Sequence, residues 1–189
     1  MILYAVGVRR WWVVLSSLAL LVVMCWSVGT SEVPVPTLAS GLGSSQLAYF
    51  TPLLVVVSVM YCLERQLHAC ESTAVLPVRR LDQGAIVVTA VLVHAAGLTA
   101  GMDVARNTVL LLALALLVRS VANEAAAAGA CLGFLIVNVL LGRVQSPDGL
   151  ESHSWWAVAL YSSSSVAAWL AAVLFFVAVL PLVSVRHSR

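Results

Sequence analysis

The residues with the most evident chemistry in this chain sit together in the stretch 64–82, ERQLHACESTAVLPVRRLD. It carries Arg65, Arg79 and Arg80 beside Glu64, Glu71 and Asp82. Long apolar segments without charge flank it on both sides. The chemistry open to such a mixed-charge stretch is docking, because it offers a soluble partner polar and ionic contacts on an otherwise apolar chain. Residues 63–68 can prolong the preceding helix into water. Glu71, Ser72 and Thr73 then supply capping groups, since short side-chain oxygens accept from the free N–H groups of a helix's first turn. They predict a short, partly apolar helix over 74–76, including Leu76, that Pro77 and the Arg79 and Arg80 pair bring to an end. The competing reading is a solvated loop whose arginines anchor the chain to anionic lipid.

Elsewhere the reactive residue types lack partners at a useful spacing. GLGSS at 41–45 departs from the G-x-S-x-G serine elbow, and no strand is predicted before it. No P-loop occurs, so ATP is not bound by that route. The four histidines are isolated, and Cys25, Cys62, Cys70 and Cys131 form no C-x-x-C, which leaves no metal-ligand spacing. The expectation is a protein that is not an enzyme and has no metal or cofactor of its own. Among the polar residues inside apolar segments, His94 and Asn138 are singled out. His94 is a functional candidate because an ionisable group in a membrane span is costly to keep; its plainer role is a neutral imidazole bonded to a neighbouring helix. Asn138 either lines a pathway or bonds across helices. The serines at 162–165 could face a polar cavity, but helical serines also bond their own i−4 carbonyls.

The composition says what kind of element must hold these residues. Of the 189 residues 62% are hydrophobic and only 10% charged, and the mean hydropathy is +1.04. Soluble domains carry about 25% charged residues, so the chain belongs in a bilayer. A net charge of +2 with no basic face excludes a nucleic-acid partner. All ten basic residues are arginine, a composition that fits a bacterial chain encoded at high GC.

A helix needs roughly 20 apolar residues to cross a hydrocarbon core about 30 Å thick. On that measure the sequence predicts an all-α polytopic protein of about six spans, at 11–28, 46–63, 83–102, 107–118, 125–141 and 160–185, forming one transmembrane domain over 1–189. Trp11 and Trp12 open the first span, where amphipathic rings suit the interface. Ser27, Val28 and Gly29 would pass as a signal-peptide cleavage site, but the apolar run before them is long for one, and a retained span is expected. Pro34, Pro36 and several Gly and Ser predict a loop over 32–45. Residues 103–106 read as a tight polar turn, which leaves the fourth span short. Small residues at 125–130 allow close helix approach. The last uncharged run, 154–185, exceeds one span; its first part, with Trp155, Trp156 and the serines at 162–165, is expected to lie in the interface or to dip into the membrane before the final helix.

Charge then orients the spans. With a cytoplasmic N-terminus, the inside receives Arg9, Arg10, Arg65, Arg79, Arg80, Arg119, Arg186 and Arg189, and the outside only Arg106 and Arg143. That obeys the positive-inside rule and predicts a multi-pass protein of the bacterial cell membrane with both termini cytoplasmic.

This layout resembles the membrane subunit of ABC-2-type transporters, permeases of six spans that work with a separate ATPase. The similarity lies in the glutamate-containing helix extension after span two and the Leu-Pro-x-x-Arg stretch, here Leu76, Pro77, Val78, Arg79 and Arg80. Ala105, Arg106, Asn107 and Thr108 before a leucine-rich segment, and Trp155 with Trp156 before the last span, resemble actinobacterial members. The resemblance covers most of the chain through layout and short motifs, and the short fourth segment and short N-terminal stretch depart from it. It implies that 64–82 contains the coupling helix that fits a groove of the ATPase, with Glu71, Ser72, Thr73, Leu76, Pro77, Arg79 and Arg80 at the contact. It also implies ATP bound by the partner and not by this chain, a second permease subunit, identical or sister, and export as the usual direction. The alternative is a non-transporting membrane assembly or immunity factor.

Overall fold

The computed structural model of the chain describes residues 10–29, 31–37, 41–64, 78–145 and 151–181. Among them, six apolar helices carry the fold: α1 (Trp12–Ser27), α2 (Pro52–Glu64), α3 (Val78–Ala100), α4 (Met102–Val121), α5 (Glu124–Leu141) and α6 (Val166–Val179). Two short antiparallel ribbons interrupt them. One pairs β1 (Glu32–Thr37) with β2 (Gly41–Gln46), the other β3 (Arg143–Gln145) with β4 (Glu151–His153). A 3₁₀ turn at Leu47–Phe50 leads into α2, and another at Val158–Leu160 precedes α6.

Local chemistry accounts for the helix ends. α2 opens on Pro52, whose fixed φ and missing N–H suit a first helical position. The Asn123 side chain caps α5 by accepting from the Ala126 N–H at 2.8 Å, and Ser165 caps α6 through Ala168. α4 has Asp103 in its first turn and Arg119 in its last, each opposing the helix dipole. Hydroxyls inside the apolar helices bond their own turns: Ser58 to the Leu54 carbonyl, Thr89 to Ala85 and Thr108 to Val104. No polar group is left facing lipid by these residues.

Four stretches are long and apolar enough to cross a membrane: Leu47–Glu64, Arg80–Ala100, Met102–Val121 and Glu124–Leu141. α1 and α6, at 16 and 14 residues, are shorter. The helical class expected from the sequence holds, with four membrane-length helices among the described residues against the six spans predicted.

The helices alternate in direction. Trp26 at the end of α1 donates to the Thr99 carbonyl at the end of α3. At the opposite end, Arg10 donates to the Tyr61 hydroxyl of α2, Gln83 of α3 to the Leu180 carbonyl just past α6, and Arg119 of α4 to the Leu63 carbonyl of α2. Both ribbons therefore lie at one end, called here the ribbon end. α4 runs through the middle, packed by α2, α3, α5 and α6, while α1 lies outside against α2 and α3. Residues from Val104 to Ala113 of α4 are all buried. Large apolar side chains point outward on the surrounding helices, among them Leu15, Val91, Leu98, Ile136, Leu170 and Leu174. An apolar outer surface of this kind is stable against lipid and not against water.

Several boundaries depart from the sequence reading. The polar turn expected at 103–106 is the first turn of α4, so the segment expected at 107–118 is a full 20-residue helix. The turn lies two residues earlier, at Gly101, whose φ of +117° is strained for any residue with a Cβ. Gly97 lets α3 and α4 meet just before it, since a Cβ there would stand 2.5 Å from the Ala105 Cβ. The loop expected over 32–45 contains the first ribbon. α3 begins at Val78 and not at residue 83, so Arg79 and Arg80 start this helix and do not close a preceding one. The last helix begins at Val166 and not at residue 160; the segment before it is broken chain.

Candidate functional site

The site is built around that broken chain. Between the 3₁₀ turn at Val158–Leu160 and the start of α6 the backbone leaves helical geometry, with a turn bond from the Ser165 N–H to the Ser162 carbonyl, and Ala159 and Leu160 of the turn before it are buried. Buried backbone outside regular structure must find its hydrogen bonds within the protein. Here side chains do so. Arg106 of α4 donates through Nη1 to the Ser162 carbonyl at 2.9 Å, and through Nη2 to the Tyr161 carbonyl at 2.7 Å and the Ala159 carbonyl at 3.3 Å. The Nδ2 of Asn107 donates to the same Ala159 carbonyl at 2.9 Å. Trp169 Nε1, from α6 itself, donates to the Ser163 carbonyl at 3.1 Å. The Asn107 Oδ1 in turn accepts from Arg106 Nε and Nη2 at 3.3 and 3.2 Å.

Arg106 is wholly buried, at 0% exposure, and Asn107 and Thr108 beside it are buried too. Its guanidinium bonds only to neutral carbonyl groups, without a carboxylate at ion-pair distance among the described residues. Asp103, one turn earlier on α4, and Tyr49 in the first 3₁₀ turn act on it electrostatically, and Arg143 acts on Tyr49. A planar fork of five N–H donors suits this task as an ammonium does not. The arrangement can hold a bent segment in place. Arginine keeps its proton, so Arg106 serves there as a fixed cation and donor. No group of three potential metal ligands occurs among the described residues.

The opposite end of α4 has a second arginine clasp. Arg119 Nη2 donates to the Leu63 carbonyl, in the last turn of α2, at 3.0 Å. Its Nε pairs with Glu124 Oε1, in the first turn of α5, at 3.3 Å. One side chain thus joins the ends of three helices.

Of the residues singled out from the sequence, Glu71, Ser72, Thr73, Leu76 and Pro77 lie outside the described residues. The backbone of Arg79 and Arg80 belongs to the first turn of α3, and Arg80 is exposed. His94 is half-buried on the seam between α3 and α6. Its Nδ1 meets the Ala90 carbonyl at 2.7 Å, so that nitrogen carries the proton, and its ring lies tilted by 39° against Trp169 with centroids 5.2 Å apart. Asn138 is at 0% exposure near the ribbon end of α5. Its Nδ2 donates to the Phe134 carbonyl of its own helix, and its Oδ1 has no donor. His94 and Asn138 share no contact. The Arg106 and Asn107 clasp was not among the expected site residues. Its signal was present, as an arginine and an amide opening a leucine-rich run.

Comparison with protein-family models, with curated proteins and with solved structures finds no match to this chain. Fold and site define a helical protein with several membrane-length apolar helices around a buried, arginine-clamped central one.

Proposed function

We propose that the chain is the permease subunit of an ATP-driven, ABC-type transporter, coupled to a separate ATPase through 64–82. The observation that carries this reading is the alternation of the helices. It brings Glu64 and Val78, the two described ends of the 65–77 connection, to the same end of the bundle as Arg10, Arg80 and Arg119. A partner docked there would meet arginine-rich ends that the positive-inside rule assigns to the cytoplasm. Two such subunits, identical or sister, would enclose the pathway, with two ATPases below binding ATP. Closure of the ATPases would push on 71–80 and tilt the spans; for that to shift the bundle, binding energy must differ between its two states. Export is the direction that the resemblance implies. The few polar residues facing the bilayer favour a hydrophobic or amphipathic cargo.

The second reading is a non-transporting assembly or immunity factor. The sealed packing around α4 favours it, because Arg106, Asn107 and Thr108 all direct their donors to the chain's own carbonyls or to each other. The two readings differ in whether the loop transmits force. Replacing Leu76 and Arg79 together should leave the protein in the membrane while uncoupling ATP hydrolysis from transport. Unchanged transport by the double variant would count against the permease reading.

A further inference from the structure

α4 carries an arginine clasp at each end, and we propose that the two are mechanically coupled, with Arg119 acting as a positioning residue for the Arg106 clasp near the opposite face. Arg119 fixes its end of α4 to α2 through the Leu63 carbonyl and to α5 through Glu124. A cation against the carbonyl end of one helix and a carboxylate at the N-terminal end of the next satisfy both dipoles. Arg106 stands about 20 Å away along the same axis, at about 1.5 Å per residue.

Nothing between the two arginines can absorb a displacement. From 106 to 119 the helix reads RNTVLLLALALLVR, without glycine or proline, and sharp bends need one of these, a π-bulge or an inserted group. α3 and α5 contain Gly84 and Gly97, and Gly129 and Gly133, and the final pass is broken between Leu160 and Val166. α4 is thus the stiff member reaching from face to face.

What it holds at the ribbon end is one bent segment. The carbonyls of Ala159, Tyr161 and Ser162 accept from Arg106 at 2.7–3.3 Å, the first of them also from Asn107 and the last also from the Ser165 N–H. A shift of about 1 Å stretches such bonds past their working range. A tilt imposed at the Arg119 end therefore loosens the broken segment at the other. The coupling is a property of the bundle and does not depend on the transport reading.

The test uses the full chain in lipid nanodiscs, with Cys70→Ser and a reporter cysteine at the buried Ala159 (2% exposed). The rate of maleimide modification at Ala159→Cys reports how often the segment leaves its clasp. Cys131, buried between α5 and α4 with its thiol on the Leu111 carbonyl, reports whether the bundle stays folded. Arg119→Ala should raise the rate at Ala159→Cys by about three- to tenfold, within the range for mutations that alter coupling, while Cys131 stays protected. Arg106→Lys should raise it as well, from the near side. Should Arg119→Ala also expose Cys131, Glu124→Gln decides, since it removes the ion pair and keeps the guanidinium on Leu63. A rise of at least about twofold at Ala159→Cys with Cys131 protected is then expected. A rate at Ala159→Cys equal to the parent's in the folded variant would overturn the proposal.

Discussion

Arg106 is the residue on which the ribbon end depends. Replacing it by leucine removes its bonds to the carbonyls of Ala159, Tyr161 and Ser162, while Asn107 still reaches Ala159 and the Ser165 N–H still reaches Ser162. Hydrogen bonds from a charged donor contribute about 1.5–3 kcal/mol each, less where the acceptor keeps a second donor. Arg106→Leu should therefore destabilise the protein by about 1–3 kcal/mol, read as a fall in the thermal midpoint in mild detergent. Arg106→Lys should fall between the two, because an ammonium keeps the charge but cannot reproduce the planar fork. Asn138 gives the opposite expectation. Its Oδ1 has no donor, and the Phe134 carbonyl that its Nδ2 reaches lies one turn back in the same helix. Asn138→Leu should then change stability by no more than about 1 kcal/mol, since replacing a poorly used polar group by an apolar one of similar shape is nearly neutral. A loss as large as that of Arg106→Leu would show that this amide has a partner beyond its own helix, the behaviour expected of a pathway residue. His94 bonds the Ala90 carbonyl of its own helix and not, as its plainer reading has it, a neighbouring one; toward α6 it has a tilted ring contact with Trp169.

At the scale of elements, the joint between α3 and α4 is the most sharply specified. Gly101 has a φ of +117°, and a Cβ there would also stand 2.7 Å from the Asp103 Oδ1. Gly101→Ala should cost about 1–3 kcal/mol, the range for a residue forced into a sparsely populated backbone region, measurable by the same melting experiment. The second span is expected from residue 46, but the chain first makes a 3₁₀ turn and α2 starts only at Pro52. α1 and α5 were legible in the sequence to within a residue at each end, because unbroken apolar runs mark them. The beginning of α4 was not. Hydropathy treats Asp103, Arg106 and Asn107 as surface residues, and only the tertiary structure supplies the carbonyls that make Arg106 and Asn107 burial tolerable. The first ribbon was hidden for a different reason: Pro34 and Pro36 argue against a strand, yet β1 pairs only with β2 and tolerates them as an edge. The last helix was read too long because Ser162 and its neighbours carry no charge, while their backbone turns away from helical geometry. The clasp itself joins residues more than fifty positions apart, and no local pattern shows such a pairing.

For the whole molecule, the same features fit together as a bundle with one stiff axis and two unlike ends. The ribbon end holds a bent segment through a buried guanidinium. The other gathers the exposed Arg80, the Arg119 clasp and the helix ends on either side of 65–77. The proposed function places an ATPase at that second end, which gives it a direct test. The tagged protein would be purified in mild detergent, without crosslinking, and the chains that remain bound identified. The expected result is a P-loop ATPase that co-purifies with the parent chain and is lost when Leu76 and Arg79 are replaced. A clean preparation free of any ATPase would contradict the permease reading, and the 64–82 stretch would then be read as an anchor to anionic lipid.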